Sequence, residues 1–396
     1  MKQIIRYAWI PLLAIGVFAC GGNTPPDSAS QGQGNPVGTS VPSGDNTQAT
    51  APVERAATSG GNFLSSFPTD RILSGGVPKD GIPALTDPQF VDLTSSDANY
   101  VLEDDLILGV VINGEAKAYP HNMGWWHEIV NDVVGGQPIV VSFCPLTGTG
   151  LVFNGQGDDG NRITCGVSGL LFNNNLIMYD RRDNATLYPQ MIHTSIDGSI
   201  GSELELMPVI ETTWRFWKQL YPNSKVVSVR AGTYSSGRYT QYPYGSYRDF
   251  TQGPNFASFP ALEANPTAQF FPPKTITLGI RFGEKAKAYP FPIMGEEAVI
   301  NDTFEGTDLV VVFYEQEQYA VPFSREFNDQ ILTFEKVAST DQAYPFLMRD
   351  NETGTVWNLK GEALSGTFQG RTLTPIASHN GFWFAWATFW QNTGIY

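Results

Sequence analysis

The residue types best suited to chemistry are gathered in the first half of the chain: His121, His127, Cys144, Cys165 and His193. A thiolate and imidazoles are soft to borderline donors that suit copper or zinc. His121 and His127 lie six apart across a Gly-Trp-Trp turn, from which both can converge on the end of the strand that runs into Cys144. One reading is therefore a copper or zinc site built from Cys144, His121, His127 and His193. A second is a thiol-dependent enzyme in which His127 deprotonates Cys144 and the backbone N–H groups of Thr147-Gly148-Thr149-Gly150 form an anion-binding nest. In a third, Cys144 is a small buried hydrophobe and the histidines are core or surface groups. The protein would then be structural, or would bind a small molecule or glycan through Tyr and Trp faces. The residues alone leave all three open. No Cys-x-x-Cys-His, His-Glu-x-x-His, Gly-x-Ser-x-Gly or P-loop run is present to decide among them.

These residues stand out because the stretch that carries them occurs twice. Residues 108–143 align without a gap on residues 278–313, an offset of 170, with thirteen of 36 positions identical. Both copies keep Ala-Lys-Ala-Tyr-Pro (116–120 and 286–290), Asn131-Asp132 and Asn301-Asp302, and Val140-Val141 and Val310-Val311. Such shared residues are expected to form the fold. What the first copy holds alone is the candidate for chemistry. His121 faces Phe291, His127 faces Glu297, Cys144 faces Tyr314, and Cys165 has Phe334 or Glu335 opposite it. The first half reads as the working lobe and the second as its degenerate copy.

The elements that must position these residues are mostly strands. Ile139 to Phe143 reads as an apolar strand, Thr149 to Phe153 as its return after a Pro-Leu-Thr-Gly turn, and Arg162 to Val167 as the next strand of the same meander. In that meander Cys144 lies across from about Gly150, which lies across from about Gly166. Cys165 then points to the opposite face, which weighs against a Cys144–Cys165 disulfide. Leu170–Phe172 and Leu176–Tyr179 flank an asparagine turn. Trp214, Trp217, Leu220 and Tyr221 sit at helical spacing within 211–221, closed by Pro222, and Phe382–Trp386 is the equivalent in the second half. The tyrosine-rich residues 234–250 join the halves, either as a packed connector or as a stacking platform for sugars. The fold class is mainly β with a few short helices (α+β), in two tandem lobes from an internal duplication, 63–232 and 233–396.

The chain begins with Lys2 and Arg6, an apolar run from Trp9 to Ala19, and Cys20-Gly21-Gly22. This resembles a bacterial lipoprotein signal of residues 1–19, with Cys20 the lipidated (palmitate-bearing) N-terminus. Residues 20–62 are Gly, Ser, Thr and Pro-rich and read as a disordered tether. The expected location is the bacterial cell envelope, lipid-anchored to the membrane on the periplasmic or outer-membrane face. With 24 Lys and Arg against 39 Asp and Glu, a net charge of −15 excludes nucleic acid as a partner.

The runs Cys144-Pro145-Leu146-Thr147-Gly148-Thr149-Gly150, Gly166-Val167-Ser168-Gly169-Leu170-Leu171 and Met178-Tyr179-Asp180-Arg181, with the Trp214/Trp217 helix, resemble the bacterial family known as domain of unknown function 3179. Ala118-Tyr119-Pro120 and His127-Glu128-Ile129-Val130-Asn131-Asp132 fit it as well. The resemblance implies an envelope lipoprotein and brings no activity with it. Members often carry a second cysteine where this chain has Thr147, and its absence argues against a dithiol or zinc-knuckle role at that turn.

Overall fold

The computed structural model describes residues 68, 71–199, 201–248, 266–339 and 341–396. All lie within one compact unit, Pro52–Tyr396. The signal segment, the tether and Cys20 fall outside the described residues. The fold is mainly β with short helices.

After three short strands, the repeated part of the first lobe begins with a hairpin, β1 (Leu106–Ile112) and β2 (Glu115–Pro120). Its turn is Asn113-Gly114, with φ of 50° and 81°, the pair of left-handed residues that a two-residue hairpin needs to match strand twist. Helix α1 (His121–His127) follows directly, then β3 (Ile129–Val134), β4 (Gln137–Cys144), β5 (Thr149–Asn154), β6 (Cys165–Phe172) and β7 (Asn175–Asp180). The lobe closes with β8 (Ile210–Thr213), α2 (Trp214–Leu220) and β9 (Lys225–Val227). The second lobe repeats this order: β10 (Ile276–Phe282), β11 (Lys285–Pro290), α3 (Phe291–Met294), β12 (Glu297–Phe304), β13 (Thr307–Tyr314), β14 (Tyr319–Ser324), β15 (Phe334–Ala338), β16 (Phe346–Asp350), β17 (Ser378–Phe382), α4 (Trp383–Phe389) and β18 (Gly394–Ile395).

The sheets correspond too. In one lobe β8, β1, β2 and β9 lie side by side, in the other β17, β10, β11 and β18, each last strand parallel to its neighbour. A second sheet holds β3, β4 and β5, or β12, β13 and β14, and a third holds β6 and β7, or β15 and β16.

The residues common to both copies make the same contacts. Tyr119 donates to Asp132 at 2.6 Å and Tyr289 to Asp302 at 2.7 Å, with Lys117 and Lys287 paired to the same carboxylates. The Asn131 side chain clamps the backbone of Cys165, accepting from its N–H at 2.7 Å and donating to its carbonyl at 3.0 Å. Asn301 holds Phe334 in the same way at 2.8 and 2.7 Å. These clamps join the second sheet of each lobe to the third. Helix α2 lies on the first sheet because Gly109 leaves room for Trp217. A Cβ there would sit 2.0 Å from the indole, and Gly279 and Trp386 repeat the arrangement at 2.0 Å. Both indoles donate at 2.9 Å, to Ser224 and Thr393.

The lobes grip each other reciprocally. The β4–β5 turn of the first receives the Phe382 N–H on the Thr147 carbonyl at 2.8 Å, and the β13–β14 turn of the second receives the Thr212 hydroxyl on the Glu317 carbonyl at 2.8 Å. Arg215 adds an ion pair to Glu317 at 2.9 Å. Among the described residues no helix is long and apolar enough to cross a membrane.

Two local expectations are corrected. The stretch after residue 161 does not continue the β4–β5 meander. The outer neighbour of β5 is the short strand Leu206–Met207, while β6 belongs to the third sheet, turned away by the glycine-rich loop before it. Cys144 therefore pairs with Thr149, and Cys165 with Asp180. Both cysteines are free and buried. The aromatic helix begins at Trp214, not Glu211. Thr213 caps it by accepting from the Phe216 N–H, and Glu211–Thr213 belong to β8.

Candidate functional site

Helix α1 decides where the histidines go. The chain between His121 and His127 is helical, not a turn, so six residues at 100° each leave the two rings about 120° apart on different faces. His127 is fully buried. Its Nδ1 lies 2.7 Å from the Pro83 carbonyl and its Nε2 2.8 Å from the Tyr239 hydroxyl. The carbonyl can only accept, so Nδ1 carries the proton and Nε2 accepts from tyrosine. Burial holds this imidazole below its usual range. Both nitrogens are committed, and His127 is not the base for Cys144.

Cys144 ends β4 with its thiol inside an apolar cluster that also holds Cys165. Sγ reaches the Asn174 carbonyl at 3.8 Å and accepts from Thr147 and the Leu176 backbone. Burial first, then the nearby Glu128, push the thiol up to about 11. Burial raises Cys165 further. These are protonated core thiols, not an activated nucleophile. The turn expected to form an anion nest is filled by the second lobe: the Phe382 ring lies against Gly148, and the Thr147 and Thr149 hydroxyls are tied into a buried network with Asn175 and Gln190.

His193 lies elsewhere, with Nε2 2.9 Å from Arg281 Nη1 of the second lobe. Burial, reinforced by that guanidinium, pushes it down to about 4. Cys144, His121, His127 and His193 thus do not assemble, and no group of three or more His, Cys, Asp or Glu among the described residues could hold a metal ion. The copper or zinc expectation is corrected accordingly. It rested on a turn where the chain forms a helix.

His121 is the member of that set that reaches a cavity. It opens α1 directly after Pro120, its ring lies on Phe143 with centroids 4.1 Å apart, and its Nε2 is 3.8 Å from Oε1 of Glu211. Glu211 comes from β8, opposite Leu108 of β1, and only 7% of it is exposed. Its Oε2 has no hydrogen-bond partner, and burial pushes the carboxyl up to about 8. Together they form the polar floor of a small cavity between the lobes, about 60 Å³ in volume and partly open to solvent. Its walls include Trp125 and Phe143 of the first lobe, Tyr242 of the connector and Phe382 of the second lobe. Trp125 and Tyr242 meet edge to face, 5.1 Å apart and at 82°.

A second buried acid lies behind Phe143. Glu128 caps α1 with φ of 55°, a left-handed backbone that costs a non-glycine residue of order 1 kcal/mol or more. Its carbonyl accepts from the Phe143 N–H at 2.7 Å, tying helix end to strand end. Its carboxyl lines a smaller cavity with His121 and is pushed up to about 8 by burial. The connector is packed: Tyr239 and Tyr247 are buried, and Tyr247 donates to the Leu146 carbonyl.

The second lobe has other residues at these positions. Phe291 stands for His121, Ala298 for Glu128 and Tyr314 for Cys144. Glu211 opposite Leu108 becomes Asn380 opposite Leu278. Sequence reasoning missed both acids. Glu128 was visible inside the gapless repeat as a partner of Ala298. Glu211 lies beyond it, where the offset has slipped from 170 to 169 (380 − 211), so only the strand register reveals its counterpart.

Comparison with curated proteins and with solved structures finds no match. The family described as protein of unknown function (DUF3179) matches residues 79–393, from the loop before the first lobe to the last turn of the second. That span takes in every residue of the cavity and both acids, and the chain belongs to this family.

Proposed function

We propose that the protein is a non-catalytic binding protein of the bacterial envelope. It takes a small organic molecule into the cavity between its lobes and is held at the membrane by a lipid on Cys20. The observation that carries the reading is the Glu211 carboxyl, buried beside His121 with one oxygen unsatisfied, at the floor of an otherwise largely apolar cavity that Gln318 also lines. A buried acceptor without a partner costs roughly 1–3 kcal/mol, and a pocket with apolar walls and one or two convergent polar groups is the usual form of a small-molecule site. The asymmetry of the lobes supports it: packing alone would be served as well by Asn380 and Phe291, which the second lobe uses.

The test is a thermal-shift panel of small neutral, cationic and anionic organic compounds on the full chain in non-ionic detergent, with Ile276→Trp, which fills the cavity from its rim. Compounds that raise the melting temperature of the wild type are expected to leave the variant unmoved. A panel that shifts neither protein, or shifts both equally, removes the reading.

A further inference from the structure

A cleft of about 680 Å³, open to solvent, lies on the second lobe and shares no lining residue with the cavity between the lobes. Three loops frame it: the β10–β11 turn, the β12–β13 turn and the passage from α4 to β18. In the first lobe the two corresponding turns are drawn together. Asn113 donates to the Gly135 carbonyl at 2.9 Å, Glu115 accepts from the Gly135 N–H at 2.6 Å, and a Cβ on Gly135 would lie 2.2 Å from the Ile112 carbonyl oxygen. The second lobe keeps the backbone of the turn, with φ of 48° and 78° against 54° and 82°, but places Glu305 where the close approach demands glycine. Gly283 and Lys285 stand where the two tying side chains were. A side chain at 305 fits only where the neighbouring turn lies further off, and Glu305 accepts a left-handed backbone that glycine would hold without strain. The cleft is the space this exchange leaves.

Its lining joins rings to polar groups. Phe304, Phe389 and Trp390 are each held from one side, Phe304 by Phe282 with centroids 5.6 Å apart, Phe389 by Phe172 at 5.6 Å, and Trp390 by the Arg281 guanidinium 4.7 Å from its centre. Beside them stand the exposed side chains of Glu284, Lys285, Glu305, Gln391 and Asn392. Two carboxylates on the rim are balanced by Lys285 and by Arg281 behind the indole, so the cleft favours neither an anion nor a cation. A lipid chain would leave the polar rim unpaired. A neutral ligand with C–H faces for the rings and hydroxyls for the carboxylates and amides satisfies both parts of the lining. We infer that the cleft binds a short neutral oligosaccharide, one sugar ring lying on Trp390 and its hydroxyls shared among Glu305, Gln391 and Asn392. The volume is in the range of clefts that take a ligand of that size.

The experiment is isothermal titration calorimetry of the full chain in a sugar-free polyoxyethylene detergent. The probes are maltotriose, cellotriose and the N-acetylglucosamine trimer, with the galacturonic acid and glucosamine trimers as charged counterparts. At least one neutral trimer is expected to bind, with an affinity that does not change between about 0.05 and 0.5 M salt. Trp390→Ala should weaken it by about tenfold or more, the scale of one lost aromatic face. Gly283→Asn, Lys285→Glu and Glu305→Gly combined restore the first-lobe contacts and should abolish binding while the urea midpoint holds or rises, because glycine relieves the backbone at 305. Ile276→Trp, which fills the cavity between the lobes, should leave the affinity unchanged, and this separates the two sites. The inference is overturned if no neutral trimer binds at millimolar concentration, if a charged trimer binds tenfold tighter than every neutral one, or if binding survives both cleft variants. Should either variant fail to fold, Gln391→Ala and Asn392→Ala, both at exposed positions, replace it, and unchanged affinity in both overturns the inference equally.

Discussion

Replacing Glu211 by glutamine should change how stability depends on pH more than it changes stability itself. The carboxyl is pushed from its ordinary value of 4.5 up to about 8 in the folded protein. Below pH 4.5 the side chain is protonated in folded and unfolded chains alike, and titration contributes nothing. Between 4.5 and 8 the unfolded chain ionises while the folded one keeps its proton, so stability falls as pH rises. Above 8 the loss is complete. A shift of 3.5 units (8 − 4.5) at about 1.36 kcal/mol per unit gives roughly 5 kcal/mol, an upper bound that relaxation around His121 would bring to about 2–4 kcal/mol. Glutamine keeps the shape and cannot ionise, so the variant lacks this slope. The assay is urea unfolding of both proteins from pH 4 to 9 by tryptophan fluorescence. Their free-energy difference is expected to change by about 2–4 kcal/mol in favour of the variant between pH 4 and 9, whatever constant offset the amide adds. Parallel curves across that range would show that Glu211 reaches water, and the buried, unsatisfied floor of the cavity would be refuted. Glu128, pushed up to about 8 by its own burial, leaves the variant a residual slope of the same sign.

Three further outcomes are expected. Gly109→Ala and Gly279→Ala should each destabilise by about 3 kcal/mol or more in urea unfolding, because the new methyl would lie 2.0 Å from an indole carbon that is itself fully packed, and the two losses should be alike. Cys144 and Cys165 should resist a thiol reagent at pH 8 in the native protein and both react in denaturant, since burial keeps each protonated and inaccessible; rapid native labelling of Cys144 would restore the nucleophile reading. Cys20→Ser should move the protein from the membrane fraction to the soluble fraction of the expressing bacterium and abolish incorporation of labelled palmitate. Retention at the membrane would argue instead for an uncleaved N-terminal anchor.

The repeat was legible in the sequence because the residues both copies keep act through short, directional contacts. Tyr119 needs Asp132 at one register, Asn131 needs the backbone of residue 165, and Gly109 needs the absence of a side chain under Trp217. Those requirements hold wherever the fold is used, so they recur 170 or 169 residues later. The strands of each hairpin were legible for a similar reason, since a side-chain period of two survives in any surrounding. The destination of β6 was not legible. Whether a strand after a glycine-rich loop joins its predecessor or crosses to the next sheet depends on which edge is free, and Leu206–Met207, more than forty residues on, takes the edge of β5. The seven residues of α1 were equally hidden. Gly124 and two tryptophans argue for a turn, yet Gly124 is needed where the Phe143 ring comes within 2.9 Å of its missing Cβ. One misjudged helix was enough to send His121 and His127 to different faces and dissolve the metal site.

What survives is the difference between the lobes, now attached to other residues. Both lobes must bury the start of their first helix against the end of a central strand, and the second does so with Phe291 on Phe313, 4.8 Å apart. The first puts a histidine on the equivalent phenylalanine and then adds two carboxyls that burial keeps near pH 8. The two carboxyls lose stability as pH rises, which the alanine and amide 170 or 169 positions later cannot do, although Asn380 Oδ1 is also buried without a partner. His121 and Glu211 stand on one side of a cavity whose other side is supplied by the second lobe, and Glu128 lies in the smaller cavity behind Phe143. A fold that already possesses a cheaper solution for the same position, and uses it once, has a reason other than packing for the dearer one. On the binding reading proposed above, that reason is the cavity, which Glu211 lines with its Oε2 unsatisfied.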